Sequence, residues 1–234
     1  MIVDPVYFLF LIPGLLLGGY AQMRLQSTYA RAARIPARGG LTGAEAAAAV
    51  MRGAGVTGVR IEPIAGALTD HYSPGEKVLR LSDGVYDVPS VAAVGIAAHE
   101  AGHAIQDATR YAPLVVRNLM VPLASAGGNL SMLLIMAGLA LLLRPLVYLG
   151  IAAFGLTVLF QLINLPVEYD ASARAKRELV NQGLISPDEE PEVARVLYAA
   201  ALTYVAGTVS AVFTLLYFLF RAGLIGGDRR RSDG

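Results

Sequence analysis

Four stretches of the chain run uncharged for the length of a bilayer crossing: Pro5 to Met23, Asn118 to Leu143, Pro145 to Val167 and Val196 to Phe220. A helix rises about 1.5 Å per residue, so some twenty apolar residues match the roughly 30 Å of hydrocarbon, and each stretch is expected to form a transmembrane helix. A signal peptide is the rival for the first. It lacks a positive leading region, carries Asp4 there, and has Arg24 after the run instead of before it. The second and third stretches meet at Arg144-Pro145, which predicts a tight hairpin. Gly127, Gly128, Asn129 and Ser131 in the second and Gly207 and Ala211 in the fourth predict close helix packing.

Between the spans the pattern changes. Arg24, Arg31, Arg34 and Arg38 lie on a polar connector that ends at Gly39-Gly40. Thr42 followed by Glu45 is a capping box opening an alanine-rich helix to about Gly53. Val56 to Ile64 and Lys77 to Ser82 read as short strands, with Asp70, His71 and Tyr72 in a turn closed by Pro74-Gly75. A proline-free run rich in Ala and Ile predicts a helix from about Ser90 to Thr109. Asp170 to Arg195 is charged and reads as a loop, with a short helix starting at Ser186-Pro187-Asp188. The organisation is therefore an N-terminal span (1–23), a water-facing α+β part (24–117), a hairpin (118–167), a loop (168–195), and a last span with a basic tail at Arg229-Arg230-Arg231 (196–234).

Composition sharpens this picture. A hydrophobic share of 55% exceeds that of an ordinary soluble domain, so the fold class is a mostly α membrane protein with a small α+β part. The net charge of +1 and the lack of a basic, aromatic-interleaved patch argue against nucleic acid as a partner. No cysteine is present, which removes disulfides, thiolate ligands and cysteine nucleophiles. Four crossings place 24–117 and 168–195 on one side of a cell membrane. Arg and Lys are more frequent near the span ends on that side, which points to the cytoplasm.

The chemistry centres on His99-Glu100-Ala101-Gly102-His103, which uses two of the three histidines. On a helix of 3.6 residues per turn the two imidazoles share a face and can grip one Zn²⁺, while Glu100 beside them is the candidate general base toward a metal-activated water. A zinc hydrolase needs a third ligand. Glu168 is the candidate, because it ends a long uncharged segment where an idle carboxylate is costly. A plain solvated glutamate is the alternative, and His71 is the other residue able to serve as ligand. His71 and Tyr72 are candidate donors to the oxyanion, against a simple surface turn. Asp107 can orient an imidazole N–H or pair with Arg110 at the helix end.

Leu68-Thr69-Asp70-His71-Tyr72-x-Pro74, His99-Glu100-x-x-His103 and Asn164-Leu165-Pro166-Val167-Glu168 together resemble the YugP-like neutral zinc metallopeptidases of bacterial membranes, over roughly Leu41 to Ala175. The resemblance implies four spans, a small zincin-like α+β domain carrying the HExxH helix, and a membrane-embedded zinc protease whose third ligand is a Glu after a transmembrane helix. Such relatives usually carry an Asp four residues after that Glu. Here Ser172 takes the place and Asp170 comes earlier. A zinc site so close to the bilayer suggests a membrane-associated peptide or protein as substrate, with lipid as the other partner. Two other classes stay open: a site-2-type intramembrane protease, which would put HExxH inside a span, and a non-catalytic zinc-dependent scaffold, which would have no use for Glu100.

Overall fold

A computed structural model describes residues 5–225; Asp4 and the Arg229-Arg230-Arg231 tail lie outside them. In chain order the elements are α1 (Pro5–Ala32), α2 (Gly43–Gly53), β1 (Arg60–Ile64), β2 (His71–Ser73), β3 (Val78–Ser82), α3 (Val91–Ala108), α4 (Ala112–Ala140), α5 (Arg144–Asn181) and α6 (Glu190–Arg221). The chain is mostly helical. Helices α1, α4, α5 and α6 are long and apolar enough to cross a membrane. The residues divide into two units, one within Met1–Tyr20, Val116–Asn164 and Tyr204–Gly234, the other comprising Ala21–Val115 and Leu165–Thr203.

The first unit is built from the apolar parts of the four long helices. Large side chains such as Leu9, Leu16, Leu119 and Leu133 point outward and are exposed, as a surface solvated by lipid requires. Small residues let the helices approach. A Cβ on Gly138 would lie 2.7 Å from the Val147 nitrogen and one on Gly127 3.0 Å from the Ala153 carbonyl, so α4 and α5 pack backbone to backbone, as the small residues around Gly127 predict. Their turn occupies 141–143, with Leu142 at φ 57°. The expectation for α6 needs correcting. Gly207 has open space where its Cβ would be, and the close approach is made one turn away, where a Cβ on Gly14 of α1 would fall 2.9 Å from the Ser210 Cα.

In the second unit a three-stranded sheet in the order β1-β3-β2 packs against α3. β3 is central, parallel to β1 and antiparallel to β2. Val78, Leu79 and Leu81 of β3 are fully buried, and Leu79 and Leu81 join a core with Val50 of α2, Val94, Ala97, Ala98 and Ala101 of α3, and Leu179 of α5. Alanine dominates α2 and α3, and its small volume lets them lie close together. Both helices are capped, α2 as its sequence predicts. Thr42 and Glu45 form a capping box on α2, and Ser90 caps α3 by accepting from the Ala93 N–H at 3.2 Å.

Several boundaries differ from the sequence expectation. α1 runs on through Arg24 and Arg31 to Ala32, absorbing the first part of the expected connector. His71 and Tyr72 stand in strand β2, not in a turn, because their backbone pairs with Arg80 and Leu79 of β3. β1 begins at Arg60, after Gly58 at φ 77° interrupts the expected strand. α5 continues through Pro166 to Asn181 where a loop was expected, and α6 starts at Glu190 and absorbs the short helix. The charged run after Glu168 hides a buried stripe, Val167, Ala171, Ala175 and Leu179, spaced four apart and all inaccessible.

Candidate metal centre

α3 and α5 supply the site. His99 and His103 lie one turn apart on α3, with ring centroids 4.8 Å apart and planes at 81°. α5 brings Glu168 against both: its Oε2 is 3.3 Å from His99 Nε2 and 3.6 Å from His103 Nε2. The three ligand atoms lie within 4.8 Å of one another. Gly102, between the two histidines, makes this possible. A Cβ there would fall 2.4 Å from the Ala171 carbonyl oxygen, so any larger residue would push α3 off α5 just where the carboxylate must arrive.

The donor set fits a cation. Glu168 is buried, and its Oε2 has no hydrogen-bond partner, although a buried, unsatisfied carboxylate oxygen costs several kcal/mol. The far side of each imidazole is occupied: His99 Nδ1 meets Ser172 Oγ at 3.1 Å and His103 Nδ1 meets Gln106 Oε1 at 3.0 Å. Both Nε2 atoms therefore face the carboxylate oxygen and the space between the three. Two imidazoles and one carboxylate are a donor set that zinc accepts, leaving one position of a tetrahedron for water or substrate. Burial alone would lower the His103 imidazole, but the close approach of Glu168 and the negative charges of Glu100 and Glu168 outweigh it and raise it above its ordinary value. The cluster thus draws positive charge to itself.

The other candidate residues take varied places. Glu100 is buried on α3 between the histidines. Tyr72 packs on the core with its hydroxyl donating to Asp107 Oδ2 at 2.6 Å, and burial together with this bond raises the phenol above its usual value. His71 Nδ1 meets the Thr69 carbonyl at 2.9 Å. Asp107 departs from both expectations, since it neither orients an imidazole nor pairs with Arg110. It accepts from Tyr72 and, at 2.5 Å, from Lys77 Nζ, tying the sheet to the end of α3. The residue that meets His103 is its neighbour Gln106, which sequence reasoning passed over. Asp170 accepts from Gln106 Nε2 at 2.8 Å and Arg174 Nε at 2.6 Å. Ser172, the departure from the usual Asp, stands behind His99.

Residues 7–223 match the family model described as "Putative neutral zinc metallopeptidase". The chain belongs to this family. The matched span contains every residue of the candidate centre, and a zinc metallopeptidase family implies zinc for a cluster of this kind. Within the family, the chain is similar to the "Putative membrane protease YugP" of Bacillus subtilis (strain 168), at 42% identity over 213 residues, 91% of this chain and 95% of that protein. No solved structure matches.

Proposed function

We propose that this member of the neutral zinc metallopeptidase family is a multi-pass membrane endopeptidase in which His99, His103 and Glu168 hold zinc and Glu100 is the general base. The reading is carried by Glu168 Oε2, a buried carboxylate oxygen without a hydrogen-bond partner, aimed between two imidazole nitrogens. A cation at that point satisfies all three groups at once, and no alternative partner among the described residues does. Bound there, zinc would supply a Lewis acid that polarises the scissile carbonyl and lowers the pKa of water toward ~7.

The remaining steps fall to the protein's side chains. Glu100, next to His99 on a buried helix, takes the proton from the attacking water and delivers it to the departing amine, so one carboxylate serves as base and then as acid. His71 and Tyr72, on the strand packed against α3, are the donors we assign to the developing oxyanion. Tyr72 would have to share its hydrogen between Asp107 and substrate, which makes it the weaker of the two. The four apolar helices support a membrane-associated peptide or protein as substrate. With four crossings, the α1–α4 and α5–α6 connections lie on one face, and the excess of Arg and Lys there supports the cytoplasm.

Metal analysis and casein hydrolysis by the purified protein, wild type beside Glu100→Gln, test the proposal. The expected result is bound zinc in both and a loss of rate of about 10²–10⁴-fold in the variant, the usual worth of a positioned base. Undiminished hydrolysis by Glu100→Gln would sink the mechanism. A wild type that holds zinc but cleaves nothing, with Glu100→Gln indistinguishable from it in every assay, would point to the scaffold reading.

A further inference from the structure

Gln106 is fully buried on α3, one turn beyond His103, and its amide is held from both ends. Its Nε2 donates to the Val167 carbonyl at 2.8 Å and to Asp170 Oδ2 at 2.8 Å. A carbonyl and a carboxylate only accept. The amide therefore cannot be turned around without setting its oxygen against two acceptors, and Oε1 must face His103 Nδ1, 3.0 Å away. An amide oxygen in turn accepts only, so that ring nitrogen must carry a hydrogen.

We propose that Gln106 is a positioning residue that holds His103 in the Nδ1–H tautomer, keeping the Nε2 lone pair turned toward Glu168. The direction of the amide is itself set from α5. Asp170 is ion-paired with Arg174 Nε at 2.6 Å, and the Arg174 guanidinium lies 5.3 Å from the Tyr111 ring centroid. The order thus passes from Arg174 to Asp170, to the Gln106 amide, to the ring of His103. His99 has no such fixed partner, because the Ser172 hydroxyl can donate or accept. Of the two imidazoles only His103 is locked by its surroundings. Without the lock, a neutral His103 would lower its energy by placing the hydrogen on Nε2 against the Glu168 carboxylate, the arrangement that blocks the metal position. The consequence for metal affinity rests on the reading of His99, His103 and Glu168 as zinc ligands; the tautomer does not.

Two measurements separate them. The first is the nitrogen-15 spectrum of labelled histidine in the metal-free protein, in alkaline buffer where the imidazole is neutral; the chain has only three histidines to assign. The wild type should show His103 with its hydrogen on Nδ1, and Gln106→Met should shift the hydrogen to Nε2. A wild-type His103 carrying it on Nε2 overturns the inference whatever the metal does. The second is zinc affinity by chelator competition. Gln106→Met should bind about 10–100-fold more weakly, the usual effect of losing a partner behind a ligand. Unchanged affinity in Gln106→Met overturns the inference. So does a loss of affinity with the hydrogen still on Nδ1, which would mean that Gln106 only fills space. A wild type that binds no zinc yet keeps the Nδ1–H tautomer would overturn the metal reading while supporting the role of Gln106.

Discussion

A single oxygen favours Glu168 over His71 as the third member of the proposed metal set. Glu168 Oε2 is buried, unpaired and within 3.6 Å of both imidazole nitrogens, whereas His71 is turned to the Thr69 carbonyl on a strand. The two candidates separate on metal content. Glu168→Ala should lose most of its zinc on dialysis, because two imidazoles alone hold the ion weakly. His71→Ala should keep its zinc and turn over more slowly. The reverse pattern, an empty His71→Ala and a loaded Glu168→Ala, would make the site a three-histidine one. The carboxylate was legible in the sequence through its cost, since a glutamate closing a run of uncharged residues needs a reason to be there. Gln106 was not, because an uncharged amide inside a helix is cheap in water, and only the approach of α5 turns it into a buried, directional group.

At the scale of elements, the decisive event is the contact of α3 with α5 at Gly102. In Gly102→Ala the new methyl meets the Ala171 carbonyl at 2.4 Å, backbone that cannot swing aside. The helices must separate by an ångström or more, which should cost on the order of 1–3 kcal/mol of stability and weaken zinc binding far more than Gly207→Ala, which faces open space. Thermal unfolding and chelator competition on the two variants check this; equal behaviour would mean that the approach is not what seats Glu168. The sequence foretold α3 well, a run from about Ser90 to Thr109 against an observed Val91–Ala108, because an alanine-rich stretch without proline is a local signal. It foretold α5 badly beyond Glu168. Charges at Asp170, Arg174, Lys176 and Arg177 suggested a loop, yet they belong to a helix whose buried stripe is Val167, Ala171, Ala175 and Leu179, and Asp170 turns toward Gln106 of α3. β2 was missed for a different reason. Three residues are too few to show a period, and they become a strand only through hydrogen bonds to β3.

For the molecule as a whole, the proposed orientation is open to a direct check. Exposed positions on the two connections, Glu76→Cys and Asp188→Cys in this cysteine-free chain, should resist an impermeant thiol reagent in intact cells and react once the cells are opened. Labelling of both in intact cells would reverse the topology. The division of the proposed ligands between α3 and α5 also sets a clock on synthesis. His99 and His103 leave the ribosome 69 and 65 residues before Glu168, and α4 and most of the apolar part of α5 come between. At roughly 5–20 residues per second, the nascent chain spends several seconds with two imidazoles and no third ligand. On the proposed reading, the three groups that would hold zinc come together only once the last but one long helix has been delivered, and until then the chain would be harmless to its own unfolded polypeptide.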